Sequence, residues 1–185
     1  MRMKLLPILL LLAAPAVVNA ANPTITFNGE VTNQTCKVDI NGQTNSVVML
    51  PTVAMTDFGA TLATSQTAGQ TAFTVTVSGC TAPTAAAQNI SVKLLGYDVD
   101  AATGVLGNRA TGTDAAEGFG IQITGDTAGT NPIQLDGPTA LPSFSLPVGD
   151  TSVTHDYGAR YYVLDAATAS AGKITAVAEY ALSYF

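Results

Sequence analysis

Residues 71–80 read TAFTVTVSGC. Phe73, Val75 and Val77 occupy every second position, with Thr74, Thr76 and Ser78 between them. A period of two puts the apolar set on one face of an extended chain and the hydroxyls on the other, which is the signature of a half-buried β-strand. Gly79 and Cys80 end the run. The same alternation recurs in NISVKLLGY (89–97), with Ile90, Val92 and Leu94 on one face. Further candidate strands are CKVDI (36–40), NSVVML (45–50), GFGIQITG (118–125), NPIQLD (131–136), SFSLPV (143–148), HDYGARYYVL (155–164) and KITAVAEYALSYF (173–185). These runs are short, rich in Val, Ile, Thr and aromatic residues, and separated by Gly, Asn, Asp and Pro, the pattern of an antiparallel sandwich. Convincing helical periodicity is absent.

Two connections interrupt the strands. Residues 98–118, DVDAATGVLGNRATGTDAAEG, lack clear alternation and a set of bulky apolar residues, and read as a surface loop. Residues 136–150 carry Pro138, Pro142 and Pro147. A strand there is expected at a sheet edge, where a missing N–H does little harm. With no internal repeat and no linker, one β domain is the expectation.

The first twenty residues read as a signal peptide, with Arg2 and Lys4 ahead of an apolar run and Val18-Asn19-Ala20 at the cleavage point. The run is too short, and too broken by Pro7 and Pro15, to span a bilayer well. Removing residues 1–20 takes two of the seven basic residues, leaving five against thirteen acidic ones, a net charge of −8. Nucleic acid is therefore disfavoured as a partner, since phosphate binding needs a basic surface. No later stretch is apolar enough to insert the mature chain in a membrane. Cys36 and Cys80 are the only cysteines, and in a secreted chain they are most simply one disulfide.

Catalytic chemistry finds little footing. His155 is the only histidine, and nothing arranges it with Asp156 and a hydroxyl into a triad. GFGIQITG lacks the third glycine and the following helix of a dinucleotide site. The triplets NQT (33–35) and NIS (89–91) fit a glycosylation pattern that arises often by chance. Asp98 and Asp100 alone are too few for a calcium cage. No enzyme activity, metal or cofactor is expected.

The two ends of the chain carry the functional reading. Residues 21–38, ANPTITFNGEVTNQTCKV, place Ile25, Phe27, Gly29 and Val31 on one face and Thr24, Thr26, Asn28 and Glu30 on the other. Near the other terminus Ile174, Ala176, Ala178, Tyr180, Leu182 and Tyr184 form an apolar face, and Phe185 follows. The start TITFNGEVTNQTCKV, a second cysteine closing FTVTVSGC, the ARYY segment at 159–162, the penultimate Tyr184 and Gly172 fourteenth from the end together resemble the type 1 fimbrial pilins of the chaperone–usher pathway. The resemblance covers nearly the whole mature chain.

That resemblance implies an all-β, incomplete immunoglobulin-like sandwich that lacks its last strand and is completed by donor-strand exchange. It divides the chain into a signal peptide (1–20), a donor-strand extension (21–32) and a pilin domain (33–185). Pro23, Ile25, Phe27, Gly29 and Val31 would enter a neighbour's groove, and Gly172, Tyr180, Leu182, Tyr184 and Phe185 would belong to the strand beside the chain's own groove. The implied partners are a periplasmic chaperone, an outer-membrane usher and neighbouring pilin subunits, and the implied destination is an extracellular fimbrium on the cell surface, serving adhesion and biofilm formation. Two other readings of the extension stand beside this one: Gly29 as a bulge, and Ile25, Phe27 and Val31 as an edge strand on the chain's own core. The alternative from another class is a monomeric secreted β-sandwich that binds carbohydrate or protein through its loops.

Overall fold

The computed structural model describes residues 35–142 and 144–184; residues 1–20, expected to be a signal peptide, and 21–32, the expected donor extension, lie outside the described residues, as does Phe185. Its strands are β1 (Lys37–Ile40), β2 (Thr67–Ser78), β3 (Gln88–Gly96), β4 (Leu106–Gly107), β5 (Phe119–Thr124), β6 (Pro132–Ile133), β7 (Thr139–Ala140), β8 (Phe144–Leu146), β9 (Val153–Val163) and β10 (Ala178–Tyr184). One four-residue 3-10 turn, Met55–Phe58, is the only helical element among the described residues. One sheet runs β1-β2-β9-β5-β4 with β6 beside β5, and the other runs β10-β3-β7 with β8 also on β3. Every ladder between named strands is antiparallel.

The alternation of residues 71–80 is realised as read: Phe73, Val75 and Val77 are buried and the intervening hydroxyls face out. They meet Ile90, Val92 and Leu94 of β3, Phe144 and Leu146 of β8, and Tyr157 of β9 in one core between the sheets. Phe73 and Tyr157 stack with ring centroids 5.8 Å apart. Strands β7 and β8, flanked by Pro138, Pro142 and Pro147, pair with β3 alone, at the sheet margin expected of them.

Three segments depart from the sequence reading. Strand β5 is buried at every residue, because its outer side is covered by side chains of neighbouring strands, by residues 105–106 over Gly120 and by Asp126 beside Thr124. There Thr124 donates to the Asp126 carbonyl at 2.8 Å and receives Gln70 Nε2 at 3.1 Å, while Arg160 donates two bonds to Gln122 Oε1. A strand whose inner face packs on the apolar core and whose outer face is covered by polar partners keeps an alternating sequence without an exposed face. Residues 98–118 are more than a surface loop: Val105, Leu106 and Ala116 are buried, and β4 pairs with β5. These core residues are spaced irregularly and are too few to raise a periodic signal. Residues 45–50, read as a candidate strand, join no ladder among the described residues, although residues 46–50 alternate between half-buried and exposed.

Cys36 and Cys80 form a disulfide that ties the start of β1 to the end of β2. The 44-residue separation closes a long loop, so replacing both cysteines by serine is expected to cost about 4 kcal/mol on the chain-entropy estimate. Denaturant melts of the two proteins under non-reducing conditions measure this directly.

Residues 126–131 give a pH dependence. The Asp126 carboxylate accepts the Thr130 hydroxyl at 2.7 Å, the Thr130 and Asn131 amides, and the Asn131 side chain at 2.6 Å. The Thr130 bonds lead in lowering its pKa to about 2. A depressed carboxylate stabilises the fold above its unfolded pKa of about 3.9, and that contribution disappears as pH falls through the folded value. The urea midpoint should therefore drop between about pH 4 and pH 2 by more in the wild type than in Asp126→Asn.

Candidate functional site

The two sheets end on the same side of the molecule in strands that do not meet. Strand β1 is one margin and β10 the other. Between them runs the segment 46–53, which leaves β1 through a tight turn at Asn41-Gly42, both at positive φ, as a turn of this kind requires. Its side chains alternate: Val48 and Leu50 pack on the core, while Val47 and Met49 are 74% and 78% exposed. On the β10 side Ile174, Ala176, Ala178, Tyr180, Leu182 and Tyr184 also pack on the core and yet remain only half-buried. Two apolar banks thus border a groove in which no described strand lies.

Backbone bonding defines the groove more sharply than the side chains do. On the β3 side of this strand, Val177 O accepts Tyr97 N at 3.0 Å, Thr175 O accepts Arg109 N at 2.7 Å, and Lys173 bonds through both N and O to residues 114 and 116. Thr175 N donates to Asn108 Oδ1 at 2.9 Å. All of these are odd-numbered residues. Backbone groups alternate sides along a strand. The N–H and C=O of Ile174, Ala176, Ala178, Tyr180 and Leu182 therefore point to the open side, where no described ladder meets them.

The groove is pinned at two levels. At one, with Leu182 and Tyr184 still beyond it, the Tyr180 hydroxyl reaches across the sandwich, 2.7 Å from Thr44 O and 3.2 Å from Val38 O, tying β10 to the root of the facing bank. At the other, Val53, Met55, Phe58, Phe119, Tyr161 and Ile174 contribute to a cleft of about 380 Å³. Gly172 borders this cleft and precedes β10 by six residues. Its role is close backbone approach: a Cβ there would lie 2.5 Å from Ala116 N and 2.6 Å from Asp114 O.

The outer surface of the same strand is charged unevenly. Lys173 pairs with Asp114 at 2.5 Å near the cleft, and beside it Arg109 pairs with Asp98 and stacks over Tyr97. Further along, Glu179 accepts the Tyr97 hydroxyl at 2.5 Å. That bond to the carboxylate raises the Tyr97 pKa. Among the described residues no cluster of His, Cys, Asp and Glu is arranged to hold a metal.

Of the residues singled out from the sequence, Tyr180, Leu182 and Tyr184 lie together on β10 with their side chains toward the groove, and Gly172 borders its cleft. Pro23, Ile25, Phe27, Gly29, Val31 and Phe185 lie outside the described residues. Residues 48 and 50, the opposite bank, read in the sequence only as part of the candidate strand NSVVML (45–50), and nothing in that run marks it as a bank without a ladder among the described residues.

A family model described as fimbrial protein matches residues 25–184. The chain belongs to this family. It is 36% identical over 179 residues to the major fimbrial subunit SMF-1 of Stenotrophomonas maltophilia (strain K279a), covering 95% of this chain and 99% of that one. It is 32% identical to the type-1 fimbrial protein, A chain, of Escherichia coli (strain K12), covering 89% of this chain and 85% of that protein. Among solved structures, the P pilus rod subunit PapA superposes with a TM-score of 0.57 at 16% identity, covering 80% of this chain and 99% of that one, a likeness of fold. The chain is a structural pilin subunit of a chaperone–usher fimbria with an immunoglobulin-like pilin fold, and its relatives are structural fibre subunits on the cell surface.

Gly172→Ala is expected to destabilise the domain by about 1 to 3 kcal/mol, since the clash is with backbone that cannot rotate aside. Equilibrium unfolding of the disulfide-bonded protein tests this.

Proposed function

We propose that the groove is the acceptor site for residues 21–32 of a second copy of this chain, and that fibres grow by this strand addition. The observation that supports it is the row of five acceptor residues, 174, 176, 178, 180 and 182, each with an inward apolar side chain and an outward-pointing N–H and C=O. Strand addition to an edge needs that combination: main-chain bonds for affinity and alternate side chains for specificity. The extension offers five inward positions, 23, 25, 27, 29 and 31, at the same spacing. In antiparallel pairing, Val31 falls opposite Ile174, Gly29 opposite Ala176, Phe27 opposite Ala178, Ile25 opposite Tyr180 and Pro23 opposite Leu182. Pro23 has no N–H, so one of the ten possible bonds is absent, at the outermost pair. Burying Ile25, Phe27 and Val31 adds roughly 5 to 9 kcal/mol before backbone bonds.

On this reading residues 1–20 direct export to the periplasm, where a chaperone lends its own strand to the groove before an outer-membrane usher exchanges it for the neighbour's extension. The assembled fimbrium serves attachment and biofilm formation. A monomeric binder working through its loops gives no role to an open edge of this length.

The pairing is testable with a peptide of residues 21–32 carrying Pro23→Cys, added to the mature chain carrying either Leu182→Cys or Ile174→Cys. Opposed residues of an antiparallel pair lie about 5.5 Å apart, within disulfide range. Oxidative cross-linking should favour Leu182→Cys. Equal absence of cross-linking at both positions, together with fibres still forming from a chain deleted of residues 21–32, would sink the assignment.

A further inference from the structure

The groove admits an extended strand in two directions, and the backbone does not choose between them. Antiparallel entry pairs position 27 with 178, and so does parallel entry. What differs is where the one charged residue of the extension falls. Within residues 21–32 only Glu30 is charged. It stands on the outward face with Thr24, Thr26 and Asn28, so it meets the outer surface of the acceptor strand and not the apolar floor.

We propose that Lys173, backed by Arg109, selects the direction and register of the incoming strand by attracting Glu30. This rests on the strand-addition reading above and supplies its specificity. In the antiparallel register Glu30 stands opposite Thr175, with Lys173 as its diagonal neighbour on the same face. Diagonal backbones lie about 7 to 8 Å apart, a gap that two long side chains bridge. The Lys173 side chain is 77% exposed and so free to turn from Asp114 toward a new carboxylate. Arg109, whose amide bonds Thr175 O, lies one strand further along the same row.

Parallel entry puts Glu30 opposite Ala181 instead, and its diagonal neighbour becomes Glu179, an exposed carboxylate. Lys93, paired with Ala181 on β3, lies one strand away and offsets part of that repulsion. The facing bank, residues 46–53, carries no charge. In the antiparallel direction Asp114 and Asp98, the partners of Lys173 and Arg109, offset part of the attraction in the same way, so the contrast lies in the diagonal neighbour itself, a cation in one direction and an anion in the other.

The test uses the mature chain, refolded with its disulfide, and a fluorescent peptide of residues 21–32. Glu30→Lys in the peptide, or Lys173→Glu in the chain, should each slow uptake by about threefold to fivefold, the scale of a single exposed cross-strand ion pair. Combining the two should restore the wild-type rate. The effect should fade in 1 M salt, where the screening length falls to about 3 Å. In the Lys173→Glu chain, the Pro23→Cys peptide should also shift its cross-linking from Leu182→Cys toward Ile174→Cys, a change that mere loss of stability does not produce. If the wild-type peptide binds and neither substitution alters rate or direction, Lys173 has no such role and strand addition stands. If no peptide binds any form of the chain, the strand-addition reading falls and takes this proposal with it.

Discussion

The structure depends on one unmet requirement: a backbone edge that faces an apolar groove must be hydrogen-bonded once water is excluded from it. The strand that ends in β10 satisfies one edge against β3 and residues 108–116, and presents the other to the groove. Its inward side chains pack on the core and stay half-buried, because nothing among the described residues covers them on that side. Neither shortage could be removed alone. Polar inward residues would abandon the core, and a closed edge would abolish the site. The incomplete sandwich is therefore a single feature expressed twice, in side chains and in backbone.

Holding such a groove open requires its banks to be fixed from outside it. The disulfide fixes the first strand to β2, whose pairing with β9 is the most extensive contact in the domain. The Tyr180 hydroxyl then ties β10 to the root of the segment 46–53, and the 3-10 turn with Phe58 anchors the far end of that segment. Between these anchors the bank belongs to no ladder among the described residues. On the strand-addition proposal, a span already held at both ends lowers the ordering cost of binding.

The all-β class, the disulfide and the apolar face of the last strand were legible in the sequence, because each is a local pattern: period two in residues 71–80 and 89–97, two cysteines in a secreted chain, and alternate apolar residues from Ile174 to Tyr184. What escaped depended on contacts distant in sequence. Residues 98–118 place Val105, Leu106 and Ala116 in the core with no regular spacing. Strand β5 alternates in sequence yet is buried on both faces, since Gln70 of β2, Arg160 of β9 and the Asp126 carbonyl cover its polar outer residues. The bank at 45–50 resembles a strand in composition, and only the fold shows that no ladder among the described residues reaches it. Gly172 carried weight through family resemblance, whereas its physical reason, backbone contact with residues 114–116, is visible only in three dimensions.

On the proposal that residues 21–32 are donated to a second copy, the same geometry bears on why such a chain would form fibres and not close on itself. Strand β1 runs from Lys37, opposite Ser78, toward the cleft end, and its Val38 carbonyl lies level with Tyr180. Cys36 is therefore on the far side of Tyr180 from Ile174. Val31 is five residues before Cys36, and five residues span at most about 18 Å. Antiparallel entry requires Val31 opposite Ile174, six residues beyond Tyr180 and so about 20 Å away before the offset of Cys36 is added. A chain cannot place its own extension in the antiparallel register. Folding back is confined to the parallel direction, where Glu30 lies beside Glu179. Reach and charge thus act in the same sense: the favoured register is open only to another copy, and a donor at one end with an acceptor at the other gives a head-to-tail contact that does not close, the arrangement from which open filaments grow.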